Sequence, residues 1–203
     1  MIGPSDLFAG PEGSTPLGPD EITGLIPTWV ATHGDLDMAE RDNVTEAMIW
    51  AFRQKWTVDS LLSDESMYLL HRRMFSDVWT WAGTRRQRET SIGVAPSQIA
   101  IQLRDLLKDV RTQVATEELP WSPDEIAVRL HHRLVVIHSF PKGNGRHARL
   151  VADLLVVMLG KPRFTWGGGY LTGADEARNA YLDALRTADA LWEYGPLISF
   201  ARS

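Results

Sequence analysis

Residues 146–160 read RHARLVADLLVVMLG, and their apolar side chains run around most of a helix's circumference. Such a helix is stable only when other elements enclose it on several sides, so the fold must wrap around this segment. Gly160 and Pro162 end it. The strongest helix start in the chain lies just upstream. Ser122 is a good N-cap, Pro123 fits the first helical position, and Asp124 and Glu125 complement the positive end of the dipole. Ile126, Leu130, Leu134 and Ile137 then form one apolar stripe. The two helices are joined by a short bend, HSFPKGNG, over residues 138–145.

The rest of the chain is read by the same rules. Pro4, Pro11, Pro16 and Pro19 make residues 1–20 a turn-rich arm. A short helix is expected over Glu21–Trp29, stopped by Pro27, and a longer one over Asp35–Gln54. Asp59 or Ser60 is expected to cap a helix over Leu61–Trp79, with Gly83 ending it. Thr90, Ile92 and Val94 alternate around Gly93, which predicts a small β-hairpin lying on a helical body. Helical patterns return over Gln98–Thr116, Gly173–Ala190 and Pro196–Ala201. The expected fold is mainly α with one hairpin. Residues 1–58 are expected as an arm and helices packing on the core, and residues 59–203 as the main body of one compact unit.

Composition narrows the function. With 203 residues, 44% of them hydrophobic, the chain can build a substantial core. A net charge of −5 argues against wholesale wrapping of nucleic acid, so no direct nucleic-acid binding is expected. The absence of cysteine excludes thiol nucleophiles, thiolate metal sites and disulfides. No basic and apolar leader stands at the N-terminus and no apolar run reaches spanning length, so a cytoplasmic protein without membrane association is expected.

The bend concentrates the chemistry. Gly143, Asn144 and Gly145 open a helix whose first N–H groups have no intrahelical acceptor, which is how helix N-termini bind anions. The glycines permit close approach, and Asn144 offers an amide donor. Arg146 and Arg149 sit in the first turn, where positive charge opposes the helix dipole. Stability alone would favour acids there, so the arginines point to an anionic ligand, a phosphate above all. His138, at the end of the preceding helix, is the candidate acid or base. His131 lies two turns earlier on nearly the same face, but no carboxylate joins the pair at ligand spacing, and no metal site is expected. The one Gly-Lys pair, Gly160 and Lys161, is followed by proline and is no P-loop.

HSFPKGNGRHAR closely resembles the signature of the Fic family, H-x-F-x-[D/E]-G-N-G-R-x-x-R, through His138, Phe140, Gly143, Asn144, Gly145, Arg146 and Arg149. LHRRMFSDVWTWAGTRR resembles the family's helix before its flap, SIGVAPSQI its flap hairpin, and YLDALRTADALWEYGPLISF its C-terminal helices. The first sixty residues are similar to the subgroup called mobile mystery protein B, which implies a gene partner with a helix-turn-helix. The resemblance implies a Fic-type helical bundle with a hairpin flap. It also implies transfer of AMP, or another nucleotide part, from ATP as co-substrate to a Ser, Thr or Tyr hydroxyl of a target protein. His138 would be the general base, Gly143, Asn144 and Gly145 the anion hole, and Arg146 the holder of the outer phosphates. Lys142 would border the phosphates and Arg149 would be the second motif arginine. Phe140 would anchor the loop in the core. Ser91, Ile92, Gly93 and Val94 would align the target by strand addition.

Lys142 departs from the pattern. It stands where the family's acid holds Mg²⁺, and an ammonium cannot ligate a cation, so Mg²⁺ lacks its usual ligand here. The alternative is a catalytically impaired nucleotide-binding or toxin–antitoxin interaction module. Kinase-like transfer fits less well, because that branch departs from the second glycine retained as Gly145. The family's inhibitory pattern [S/T]-x-x-x-E-[G/N], whose glutamate the resemblance pairs with the second motif arginine, Arg149, is approached only by Thr172 and Glu176, followed by Ala177. Glu40 and Glu46 on the early helix are open alternatives for the same part.

Overall fold

The computed structural model describes residues 17–116, 121–168 and 174–203. Most of the proline-rich arm, and Thr172, lie outside the described residues. The elements in chain order are α1 (Pro19–Ile22), α2 (His33–Arg53), α3 (Val58–Leu61), α4 (Asp64–Phe75), a 3₁₀ turn (Pro96–Gln98), α5 (Ile99–Ala115), α6 (Pro123–Ile137), α7 (Asn144–Met158), α8 (Ala174–Leu191) and α9 (Gly195–Arg202).

The fold is mainly α, and α7 is its centre. Every residue from Leu150 to Val156 is buried, including Asp153. Helix α6 runs along α7, while α2, α3 and α4 pack against its other sides. Burying each large aliphatic side chain contributes about 1.5–3 kcal/mol, which is what holds an all-round apolar helix in place. Asp153 is tolerated because Arg163 Nε at 2.7 Å and Trp166 Nε1 at 2.8 Å donate to its carboxylate. Helices α5 and α9 cover other faces of α6, and α8 packs on α9.

Local chemistry explains the helix ends. Ser122 Oγ accepts from Glu125 N at 3.2 Å with Pro123 at the first position, as its residue types dictate. Thr32 and Asp35 cap α2 reciprocally. Gly160 closes α7 in the left-handed region, with φ +78°.

Three expectations are corrected. The first helix covers Pro19–Ile22 and not Glu21–Trp29, because Leu25 pairs with Trp79 in an isolated bridge and Ile26 N–H donates to Val78 O at 2.9 Å. The helix read over Leu61–Trp79 is two helices. Leu62 leaves helical geometry at φ −89°, ψ 53°, and Ser63 Oγ restarts the chain by accepting from Ser66 N. Thr57 caps α3, not Asp59 or Ser60.

The third correction is the hairpin. Residues 84–95 form an extended, bent segment without strands. Its polar groups are paired elsewhere. Val94 N–H donates to Ile137 O at 3.4 Å, Arg86 N–H to Ser139 O at 3.0 Å, and the Arg86 side chain takes carbonyls that a hairpin ladder would use.

Candidate active site

Helix α6 ends on His138, whose backbone is left-handed at φ 55°, ψ 58°. A non-glycine residue there stores roughly 1–3 kcal/mol of strain, so surrounding structure must hold it. Its ring is largely buried, and Nδ1 lies 3.3 Å from Val135 O. A carbonyl only accepts, so Nδ1 carries the proton and the neutral ring keeps its lone pair on Nε2. Burial, with a smaller contribution from the Arg86 cation, pushes the ring's pKa down to about 4 against the hydrogen bond to Val135. His138 is therefore neutral, and a base, at ordinary pH.

The loop after it is closed on itself. Asn144 Oδ1 accepts from Phe140 N at 2.9 Å and Asn144 Nδ2 donates to Phe140 O at 2.7 Å. One of the two amide N–H groups is engaged within the loop, so the side chain braces the bend as well as carrying a donor. Gly143 sits at φ +83°, and a Cβ on it would lie 2.4 Å from Phe75 Cζ. Phe140 is buried and stacked on His71 at 3.7 Å. Gly83 N–H donates to His71 Nδ1 at 3.0 Å, so Nε2 carries the proton and donates to Lys142 O at 3.0 Å. Desolvation, with the neighbouring His147 second, holds His71 well below the usual histidine range, which preserves that tautomer. With these carbonyls tied back, the first turn of α7 presents its N–H groups at the bend.

The two arginines differ: Arg146 lies in the first turn of α7, as expected, but the helix begins at Asn144 and Arg149 falls in its second turn. Arg146 Nη2 is 2.5 Å from Glu40 Oε2, and its guanidinium lies 4.8 Å over Phe75. Glu40 is 1% exposed, and its other oxygen accepts from Trp79 Nε1 at 2.8 Å. Arg149 lies 4.5 Å over the Tyr181 ring, and Tyr181 OH is 3.0 Å from His131 Nε2. That hydroxyl is 3.9 Å from the place a Cβ on Gly145 would take, so Tyr181 borders the N-terminus of α7. Lys142 is half-buried at the bend.

The model of the Fic/DOC family matches residues 61–156, which include His138, the loop and both arginines. Over that stretch the chain belongs to the Fic/DOC family. Protein adenylyltransferase fic-1 of Caenorhabditis elegans is 30% identical over 106 residues, 50% of this chain but only 20% of that protein's length. Among solved structures, BepC of Bartonella tribocorum with bound AMPPNP shares the fold at a TM-score of 0.65, with 17% identity over 85% of this chain and 87% of that one. The N-terminal Fic domain of a Bartonella quintana cell filamentation protein with bound ADP does so at 0.66, with 15% identity over 86% of each chain.

The Fic bend thus brings His138, Lys142, Gly143, Asn144, Gly145, Arg146 and Arg149 together. Of the segment expected to face a target, Gly93 reaches His138 directly: a Cβ on Gly93 would lie 2.7 Å from His138 Cβ. Ser91 and Ile92 stand outward, with Ile92 44% exposed. The donor set does not suit the family's metal ion. Position 142 is a lysine, the nearby carboxylate of Glu40 is engaged by Arg146 and Trp79, and no cluster of three metal-ligating side chains occurs among the described residues. Arg86, His71 and Tyr181 were not singled out from the sequence. Arg86 is one of three arginines in TRRQR, and only burial separates it from its neighbours.

No helix among the described residues is long and apolar enough to cross a membrane.

Proposed function

We propose that this chain transfers AMP, or the corresponding part of another nucleotide, from ATP to the hydroxyl of a Ser, Thr or Tyr on a target protein. The observation that carries the reading is the meeting, at one bend, of a neutral His138 with the N-terminus of α7, Arg146 and Arg149. His138 takes the hydroxyl proton as the oxygen attacks the α-phosphorus. The bond from that phosphorus to the oxygen bridging toward the β-phosphorus breaks, and pyrophosphate leaves. The backbone N–H groups of Gly143, Asn144 and Gly145 stabilise charge on the phosphates, and Arg146 and Arg149 hold the outer ones. Lys142 supplies positive charge where the family pattern has an acid, so no step is routed through a metal. Ser91, Ile92 and Gly93 are exposed and, with Val94 fastened to α6 behind them, offer an edge along which the target chain lies. The name of the nematode adenylyltransferase and the nucleotides in the Bartonella structures support this reading at the level of the family.

The second reading is a nucleotide-binding or toxin–antitoxin module with impaired chemistry, whose partner carries a helix-turn-helix. Lys142 and the Glu40–Arg146 pair favour it, since the pair occupies an arginine the phosphates need. Labelling with α-labelled ATP in lysate, with and without Mg²⁺, separates the two. Transfer predicts label on protein that His138→Ala reduces by about 10²–10⁴-fold, the span of general-base catalysis. Silence from wild type with labelling by Lys142→Glu supports the impaired module. Absence of label from wild type and both variants, despite ATP binding, refutes transfer.

A further inference from the structure

Arg86 is 1% exposed, yet it forms no ion pair with a carboxylate among the described residues. Its fork is filled by backbone carbonyls instead. Nε donates to His138 O at 2.6 Å, Nη1 to Arg88 O at 2.9 Å, and Nη2 to Ile137 O at 3.5 Å and to Val94 O. Burying a guanidinium this deeply is costly unless its donors are satisfied, and these carbonyls take four of its five N–H groups.

The four carbonyls belong to two places. Ile137 and His138 are the end of α6, where the last carbonyls lack intrahelical donors and carry the negative end of the dipole. Arg88 and Val94 lie in the 84–95 segment. Two backbone bonds flank the fork, Arg86 N–H to Ser139 O and Val94 N–H to Ile137 O. Gly93, at φ +108°, closes the arrangement. A Cβ there would lie 2.6 Å from Arg86 Nη2 and 2.7 Å from His138 Cβ, so a side chain at position 93 would force the segment off the histidine.

We propose that Arg86 is a positioning residue for His138: its planar fork holds the histidine's left-handed backbone and fastens the 84–95 segment onto it, so the base and the target-facing backbone move as one unit. The planar geometry is the reason the residue is arginine. A lysine keeps the charge, but its three donors radiate from one nitrogen and cannot reproduce the planar fork that meets these four carbonyls. The catalytic meaning of this coupling rests on the transfer reading above, while the coupling itself is a property of the free chain.

The test is therefore made first without nucleotide or target, on the full chain carrying Arg86→Lys or Gly93→Ala, with Arg104→Lys on the surface as control. Amide exchange by NMR should rise at least about 10-fold at Val94 and Ser139 in both variants, reporting local opening. The His138 ring, on which Arg86 is the charged neighbour and Val135 O the acceptor, should titrate upward from about 4 toward the ordinary 6.5 as the segment lifts and water enters. The rings of His131 and His147 should keep their midpoints. A folded Arg86→Lys chain with Val94 exchange within about 2-fold of wild type and an unmoved His138 midpoint overturns the proposal. If Arg86→Lys does not fold, Gly93→Ala, at an exposed position with Arg86 intact, decides on the same two readouts. In a chain that labels a target, Arg86→Lys should lower kcat with ATP affinity within about 2-fold, and an equal loss of both overturns a positioning role. A chain that labels no target refutes the transfer reading and leaves the exchange and titration outcomes standing.

Discussion

The two segments that meet at His138 are built in opposite ways. The 138–149 bend is held redundantly. Asn144 ties both polar groups of Phe140, His71 holds the Lys142 carbonyl, Phe75 fills the space under Gly143, and His147 Nε2 pairs with Met67 O. The 84–95 segment has one buried side chain doing the equivalent work, that of Arg86. A loop proposed to present N–H groups to an anion benefits from many small constraints. The 84–95 segment, proposed to meet a target chain, is held by fewer bonds, those of Arg86 and Val94 with α6 and the Arg88–Glu21 ion pair with α1, and is correspondingly easier to lift.

Acid should separate the two most strongly. Buried histidines surround the bend: desolvation puts His147 at about 4, His131 at about 3 and His71 well below the usual range, besides His138 at about 4. Each binds its proton in the unfolded chain first, near pH 6.5, so folding stability is complete above that value and falls with pH toward the folded values. The expected loss approaches about 1.4 kcal/mol per pH unit for each histidine. Urea midpoints from pH 7 to 4 measure it, and a flat profile would mean these rings are solvated.

Paired glycine substitutions come next. Gly143→Ala places a Cβ against the Phe75 ring at positive φ and should destabilise by about 1–3 kcal/mol. Gly93→Ala, on the exposed segment, should cost less global stability while exposing Val94 to exchange. Equal losses in urea would erase the contrast between the segments.

The smallest expected effect concerns nucleotide access. Glu40→Gln keeps an acceptor for Trp79 Nε1 but removes the charge opposing Arg146. ATP affinity should rise about 10-fold, near 1.4 kcal/mol. Titration calorimetry checks this, and unchanged affinity would mean that Arg146 does not hold the phosphates.

Much of the site was readable because its chemistry is contiguous. His138, the glycines and both arginines fall within one stretch, and the glycines declare positions that need positive φ or close approach. Glu40 could be seen only as an open candidate. Nothing in the local sequence tells which of two helical glutamates points inward, and its partner is 106 residues away. The expected hairpin failed for a related reason. Alternation of Thr90, Ile92 and Val94 describes strand propensity, but a side chain at Arg86 competes for the carbonyls, and propensity does not see that competitor.

The sequence by itself determined the start of α6 at its Ser-Pro cap, the burial of α7, and the glycine-rich, basic character of the bend. These follow from periodicity and backbone rules that act within a few residues. Only the tertiary structure decided that Leu61–Trp79 breaks at Leu62, that Glu40 meets Arg146, and that Arg86 is buried against His138. Those outcomes depend on which polar groups from distant segments find each other once water is excluded, and a hydrogen bond's value in that setting is set by its partner, not by its position in the chain.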